Sequence, residues 1–174
     1  MPKEKSPGPD GLPAEFFQNS WDCTESDLTR VILDFLNGGN ILKEINNTFI
    51  TLIPKIDNPI RVCDFRPISL CNTIYKLTSK ILVNRLKPHL PDIISPFQNG
   101  FIKGRKIQDN IILAQELTHH IRLSKREKAP LVALKVDMSK AFDRINWNFL
   151  EQCLIKCKFP PHWIKLIMEC VSTV

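Results

Sequence analysis

The sequence predicts a mixed α+β fold, and three observations carry that expectation. Apolar residues recur at helical spacing in several separate stretches, β-branched and aromatic residues precede two of the prolines, and one short, almost continuous apolar run reads as a buried strand. The composition agrees. A chain of 174 residues with 43% hydrophobic and 24% charged side chains lies in the ordinary globular range, which excludes wholesale disorder and a collagen-like or coiled-coil fibre. Its length is that of about one domain.

The elements follow in chain order. Ser6-Pro7-Gly8-Pro9-Asp10-Gly11 reads as consecutive turns, because proline fixes φ and glycine supplies positive φ. A short helix starts at Pro13, and a second covers Ser26 to Asn37, with Leu28, Val31, Ile32 and Phe35 on one face and Gly38-Gly39 as its stop. Thr48 to Lys55 is a strand ending at a proline. Asp64-Phe65-Arg66 is a second extended piece, since Pro67 biases Arg66 away from helix. Joined by the turn Ile56-Asp57-Asn58-Pro59, the two make a hairpin-like unit that presents Lys55 and Arg66. A long helix is expected from Asn72 to Leu86, closed by Pro88 and Pro91, with Ile74, Leu77, Ile81, Leu82 and Leu86 as its apolar stripe. After a glycine-punctuated basic loop, Ile107 to Leu123 is another amphipathic helix. The run Leu131 to Asp137 is the expected buried central strand, and two helices close the chain, Trp147 to Lys158 and Pro161 to about Val171.

Charge is distributed unevenly. The formal +6 conceals a middle segment, residues 61 to 128, with 13 basic and 5 acidic residues, net +8, whereas residues 1 to 60 have 5 and 9, net −4. Such a local excess suits either a polyanion, nucleic acid or a triphosphate, or a solvated basic helix face. No stretch approaches the roughly 18 apolar residues that span a bilayer, and MPKEKSPGPDG lacks the apolar core of a signal peptide, so an intracellular, non-secreted location is expected. The six cysteines show no C-x-x-C pair, which makes reduced thiols the default. Cys153, Cys157, His162 and Cys170 have spacings foreign to a zinc knuckle and fall on amphipathic helices.

The sharpest chemical feature is LKVDMSKAFDRINW, residues 134 to 147. A buried strand delivering Asp137 at its end would hold a carboxylate that must be paired, coordinated or protonated. A divalent cation is one solution, and capping of the following turn is the other.

That stretch closely resembles motif A of the reverse transcriptases of LINE-class non-LTR retrotransposons, especially the plant-type elements. Four further blocks support the resemblance in the same order: SPGPDGLPAEFF, FITLIPKIDNP, DFRPISLCNTIYKLTSKILVNRLK and PFQNGFIKGRKIQDNI. Together they extend it over residues 6 to 174. The resemblance implies a right-hand polymerase fold, with residues 1 to 46 as an N-terminal motif region, 47 to 105 as fingers, 106 to 143 as the first part of the palm, and 144 to 174 as a helical return to the fingers. Asp137 matches the first catalytic aspartate, which with the backbone carbonyl of Met138 would bind two Mg²⁺ ions. Phe142 matches the steric gate against a ribonucleotide 2′-hydroxyl, Arg66 the fingers arginine on the incoming triphosphate, and Lys55 the second cation from the neighbouring strand. Gln98, Gly100 and Phe101 match the block near the template, and Arg105 opens the following palm helix in the same vicinity.

The implied partners are an RNA template, a DNA primer and deoxynucleoside triphosphates, with no membrane, and the parent element would act in the nucleus. The family's aromatic-x-Asp-Asp motif is missing: after Asp137 the only acids are Asp143, Glu151 and Glu169. The expectation is therefore a chain cut before the palm hairpin that carries this motif, inactive alone as an RNA-directed DNA polymerase and marginal or aggregation-prone as an isolated fold. The alternative is a non-catalytic nucleic-acid-binding module derived from such an enzyme.

Overall fold

A computed structural model describes residues 1–124, 131–138 and 141–173, with the side chains of Phe142 and Asp143 outside the description. The chain divides into two compact units, Met1–Val83 with Trp147–Val174, and Asn84–Asn146.

The first unit is helical around one projecting hairpin. Helices α1 (Ala14–Asn19) and α2 (Trp21–Leu36) follow the N-terminal turns. The second begins earlier than its apolar stripe announces, because the polar first turn Trp21-Asp22-Cys23-Thr24 carries an acid where the helix N-terminus favours one. Leu28, Ile32 and Phe35 form its buried stripe. A single turn, α3 (Lys43–Asn46), leads into β1 (Thr48–Pro54), which pairs antiparallel with β2 (Phe65–Cys71). The second strand is longer than expected and runs straight through Pro67, which pairs with Leu52. A two-stranded ribbon consists of edges, so a residue with no N–H is tolerated there.

Helix α4 (Thr73–Leu86) starts directly after β2, and α8 (Trp147–Lys156) and α9 (Pro161–Ser172) complete the unit. Its core is Phe35 of α2, Leu82 of α4, and Leu166 and Cys170 of α9, flanked by Leu36, Ile41, Tyr75 and Trp163. Trp163, Leu166 and Cys170 recur at three- and four-residue steps, so one face of α9 meets the core. The stripe expected on α4 is half-buried at Ile74, Leu77, Ile81 and Leu86, whereas Thr73, Thr78 and Leu82 are the fully buried positions. Neighbours on several sides of this helix explain why its hydrophobic pattern does not single out one face.

The second unit contains the single turn α5 (Leu90–Ile93), helix α6 (Ile107–Leu123) and the turn α7 (Ala141–Arg144). The amphipathic helix expected at 107–123 is present, but no residue of it is buried. The expected strand at 131–137 requires correction. Residues 131–138 adopt no regular structure, and Val132, Leu134 and Val136 are 84%, 86% and 79% exposed. A strand exists through its ladder, and among the described residues only β1 and β2 pair, so this apolar run has no neighbour against which to form a ladder or bury a face.

Candidate functional site

The hairpin carries Lys55 and Arg66 at the same end of the ribbon. Arg66 pairs with Ile53, and side chains alternate along a strand, so Lys55, two residues beyond Ile53, extends the face on which Arg66 lies. The backbone N–H of Lys55 continues the ladder by donating to the carbonyl of Asp64 at 2.7 Å. Both cations are exposed. The Lys55 ammonium donates one bond, to the Cys63 carbonyl at 2.8 Å, which steadies the side chain along the hairpin end and leaves two of its three donors.

Asp64 shapes that end. Its Oδ2 accepts from the backbone N–H groups of Ile60 and Arg61 at 3.1 and 2.9 Å, closing the turn of 3-10 helix at Val62–Asp64. These two bonds, Arg61 first, hold the Asp64 carboxyl below its ordinary range.

At the hairpin root sits a residue that sequence reasoning treats only as a helix start. Asn72, 3% exposed, donates from Nδ2 to the carbonyls of Glu44 and Ile45 at 3.0 and 3.1 Å, and its Oδ1 accepts from the Asp10 N–H at 3.2 Å. Gly8 packs against it so closely that a Cβ there would run into the Asn72 side chain and the backbone joining Cys71 to Asn72. Thr73 and Lys76 add bonds to the carbonyls of Leu12 and Ser6, each at 2.7 Å. The SPGPDG turns are thereby fastened to the junction of β2 and α4. Partners 27 to 62 residues away leave no local signal for such a role.

In the second unit, Gln98, Gly100, Phe101 and Arg105 share one loop. The Gln98 N–H donates to the Ser95 carbonyl at 3.0 Å, and Gly104 needs its missing side chain, since its φ is +83°. Phe101 has φ of +65° and is 97% exposed, while Ile102 beside it is buried. Arg105 is turned inward: its guanidinium donates to the carbonyls of Pro91, Ile94, Ser95 and Gln98. Asn99 holds the other side of the loop, donating to the Lys106 carbonyl at 3.0 Å and to Asn110 Oδ1 at 2.8 Å.

Asp137 does not sit where a buried strand would deliver it. It is exposed, as is Met138, in the irregular segment 131–138. Among the described residues no three His, Cys, Asp or Glu side chains gather closely enough to hold a metal ion, so the ligand set that Mg²⁺ requires is not assembled there. The side chain of Phe142 lies outside the described residues. No described helix is long and apolar enough to cross a membrane.

Comparison with known proteins gives a consistent result. A family described as reverse transcriptase (RNA-dependent DNA polymerase) matches residues 53–174. The chain is 36% identical over 164 residues to the transposon TX1 uncharacterized 149 kDa protein of Xenopus laevis, covering 94% of this chain and 12% of that protein. It is 27% identical over 146 residues to the Pol polyprotein of the type-1 retrotransposable element R1 of Bradysia coprophila, and 28% identical over 141 residues to that of the type-2 element R2DM of Drosophila melanogaster. These alignments cover 82% and 81% of this chain, but only 14% and 13% of the two polyproteins.

Proposed function

Since this chain belongs to the reverse transcriptase (RNA-dependent DNA polymerase) family and its relatives are non-LTR retrotransposon proteins, we propose that it supplies the nucleotide-gripping and template-side part of an RNA-directed DNA polymerase. Its partners in that role are an RNA template, a DNA primer and deoxynucleoside triphosphates. The observation that carries the reading is the register that sets Arg66 and Lys55 on one face of an exposed ribbon. A guanidinium can fork two phosphate oxygens while an ammonium acts as a movable point charge, so the pair suits a triphosphate. Gln98, Gly100 and Phe101 form the template-side loop, and Phe142 is the gate that excludes a 2′-hydroxyl. Residues 47–105 are fingers and 144–174 a helical return to them, a reading supported by Trp147–Val174 falling in one unit with the hairpin.

Asp137 is the first catalytic carboxylate in this reading, with the Met138 carbonyl beside it. The two alone do not fit a two-metal centre: one carboxylate and one carbonyl leave most of an octahedral shell unfilled. We expect this chain by itself to extend no primer.

Two measurements test the proposal. Arg66→Ala is expected to weaken binding of a deoxynucleoside triphosphate by about tenfold or more, the scale of a lost charge-assisted pair; unchanged affinity would remove the fingers assignment. A primer-extension assay with RNA template, Mg²⁺ and all four deoxynucleotides is expected to show no product. Extension that disappears in Asp137→Ala would overturn the claim of inactivity.

A further inference from the structure

We propose that Arg105 is a positioning residue whose guanidinium builds the loop that holds Phe101 out as a stacking platform for an unpaired nucleobase, and that it does not itself grip phosphate. The inference rests on the reading that this chain meets a single-stranded template.

Donor arithmetic carries the first half. Arg105 spends both N–H groups of one terminal nitrogen on Ser95 and Gln98, and both of the other on Pro91 and Ile94. A guanidinium has five N–H groups, so only the one on Nε remains, and a bidentate phosphate fork needs two. Reaching for a phosphate would strip partners from carbonyls that define the loop between α5 and α6. Lysine could not substitute, because a point charge with three donors cannot serve four carbonyls set around a plane.

Phe101 carries the second half. A phenylalanine normally stabilises a fold by burying its ring, yet this one is 97% exposed and sits at φ +65°, a region unfavourable for a side chain with a Cβ. The cost is sustained by its surroundings. Ile102 is buried at 7% exposure, Asn99 is bonded to Lys106 and Asn110, and Arg105 clamps the preceding residues. The loop thus buries one apolar side chain and thrusts its neighbour outward, on a stretch of chain that also carries the exposed Gln98, Lys103 and Lys106. An exposed aromatic ring flanked by cations is how single-stranded nucleic acid is held without sequence preference: the ring stacks on a base while the cations attract the backbone.

Binding of a short single-stranded oligoribonucleotide to the full chain, measured across a salt series, tests this. Phe101→Ala is expected to lower affinity about tenfold, in the range of one lost stacking contact, without changing the slope of log K against log salt. Arg105→Lys keeps the charge and should lose the same factor with the same slope, and the double variant should lose no more than either single one. Wild-type affinity in Arg105→Lys would overturn the inference, as would a slope shallower by about one in Arg105→Ala, the mark of a phosphate contact. Phe101 lies on the surface, so its variant keeps the fold, and unchanged affinity in Phe101→Ala would remove the platform whatever Arg105→Lys does to the loop. A wild-type chain that fails to bind, or binds with no salt dependence, would instead bring down the template-side reading, and this inference with it.

Discussion

Tyr75 donates its hydroxyl to the main-chain carbonyl of Cys170 at 2.7 Å, tying α4 to α9 across the core of the first unit. This carbonyl lies in the last turn of α9, where helix carbonyls lack an intrahelical partner. Tyr75→Phe keeps the ring and takes this partner from that oxygen. The expected loss is about 1 to 2 kcal/mol of unfolding free energy, read from the midpoint of a urea transition with its slope unchanged.

The same pair sets an alkaline limit on stability. Burial pushes the Tyr75 hydroxyl from 10.0 up to about 12 and the Cys170 thiol from 9.0 up to about 11. In both cases the folded state holds its proton at a pH where the unfolded state has released it. Stability from these groups is therefore complete below pH 9, declines as pH rises, and is lost by about pH 12. Thermal melts between pH 8 and pH 12 should show that decline, and Cys170→Ala should delay its onset by about one pH unit, to the ordinary tyrosine range.

Asn72 should be costly to replace. Asn72→Ala removes three hydrogen bonds and leaves the Glu44 and Ile45 carbonyls without this partner, an expected loss of about 2 to 4 kcal/mol. Gly8→Ala leaves Asn72 in place but forces the turn away from it. Amide exchange separates the two: the Asp10 N–H should lose protection in both variants, and a protected Asp10 in Gly8→Ala would show that the packing at this junction yields without cost.

Asp64 should govern order at the hairpin end. Its lowered carboxyl means that the turn is held above pH 3.8 and released only as pH falls through the lower folded-state value. Asp64→Ala should free the Ile60 and Arg61 amides to exchange at neutral pH, while the amides of the β1–β2 ladder keep their protection. Simultaneous loss of ladder protection would mean that the turn nucleates the strands.

Much of this was legible in the residues themselves. The hairpin that carries Lys55 and Arg66 follows from β-branched runs and two prolines, signals that act within a few positions. Helices α4, α6 and α9 follow from periodicity, and family membership from five ordered blocks. What escaped is long-range. The extended run at 131–137 reads as a strand because its pattern is apolar, but pairing is a property of two segments, and Asp137 inherited that error. Arg105 reads from its motif only as the residue opening the next helix near the template, and only the loop's path reveals that four carbonyls surround it.

The pairing of Arg66 with Ile53 also decides which insertions this lineage of sequences can absorb. Residues added between Ile56 and Ile60 merely enlarge a solvent-facing bend. One residue gained or lost inside β1 or β2 would shift the ladder by a single step and send the two cations to opposite sides of the ribbon. Length variation among descendants should therefore collect in the bend and spare the strands, even though most of those strand positions lie open to water.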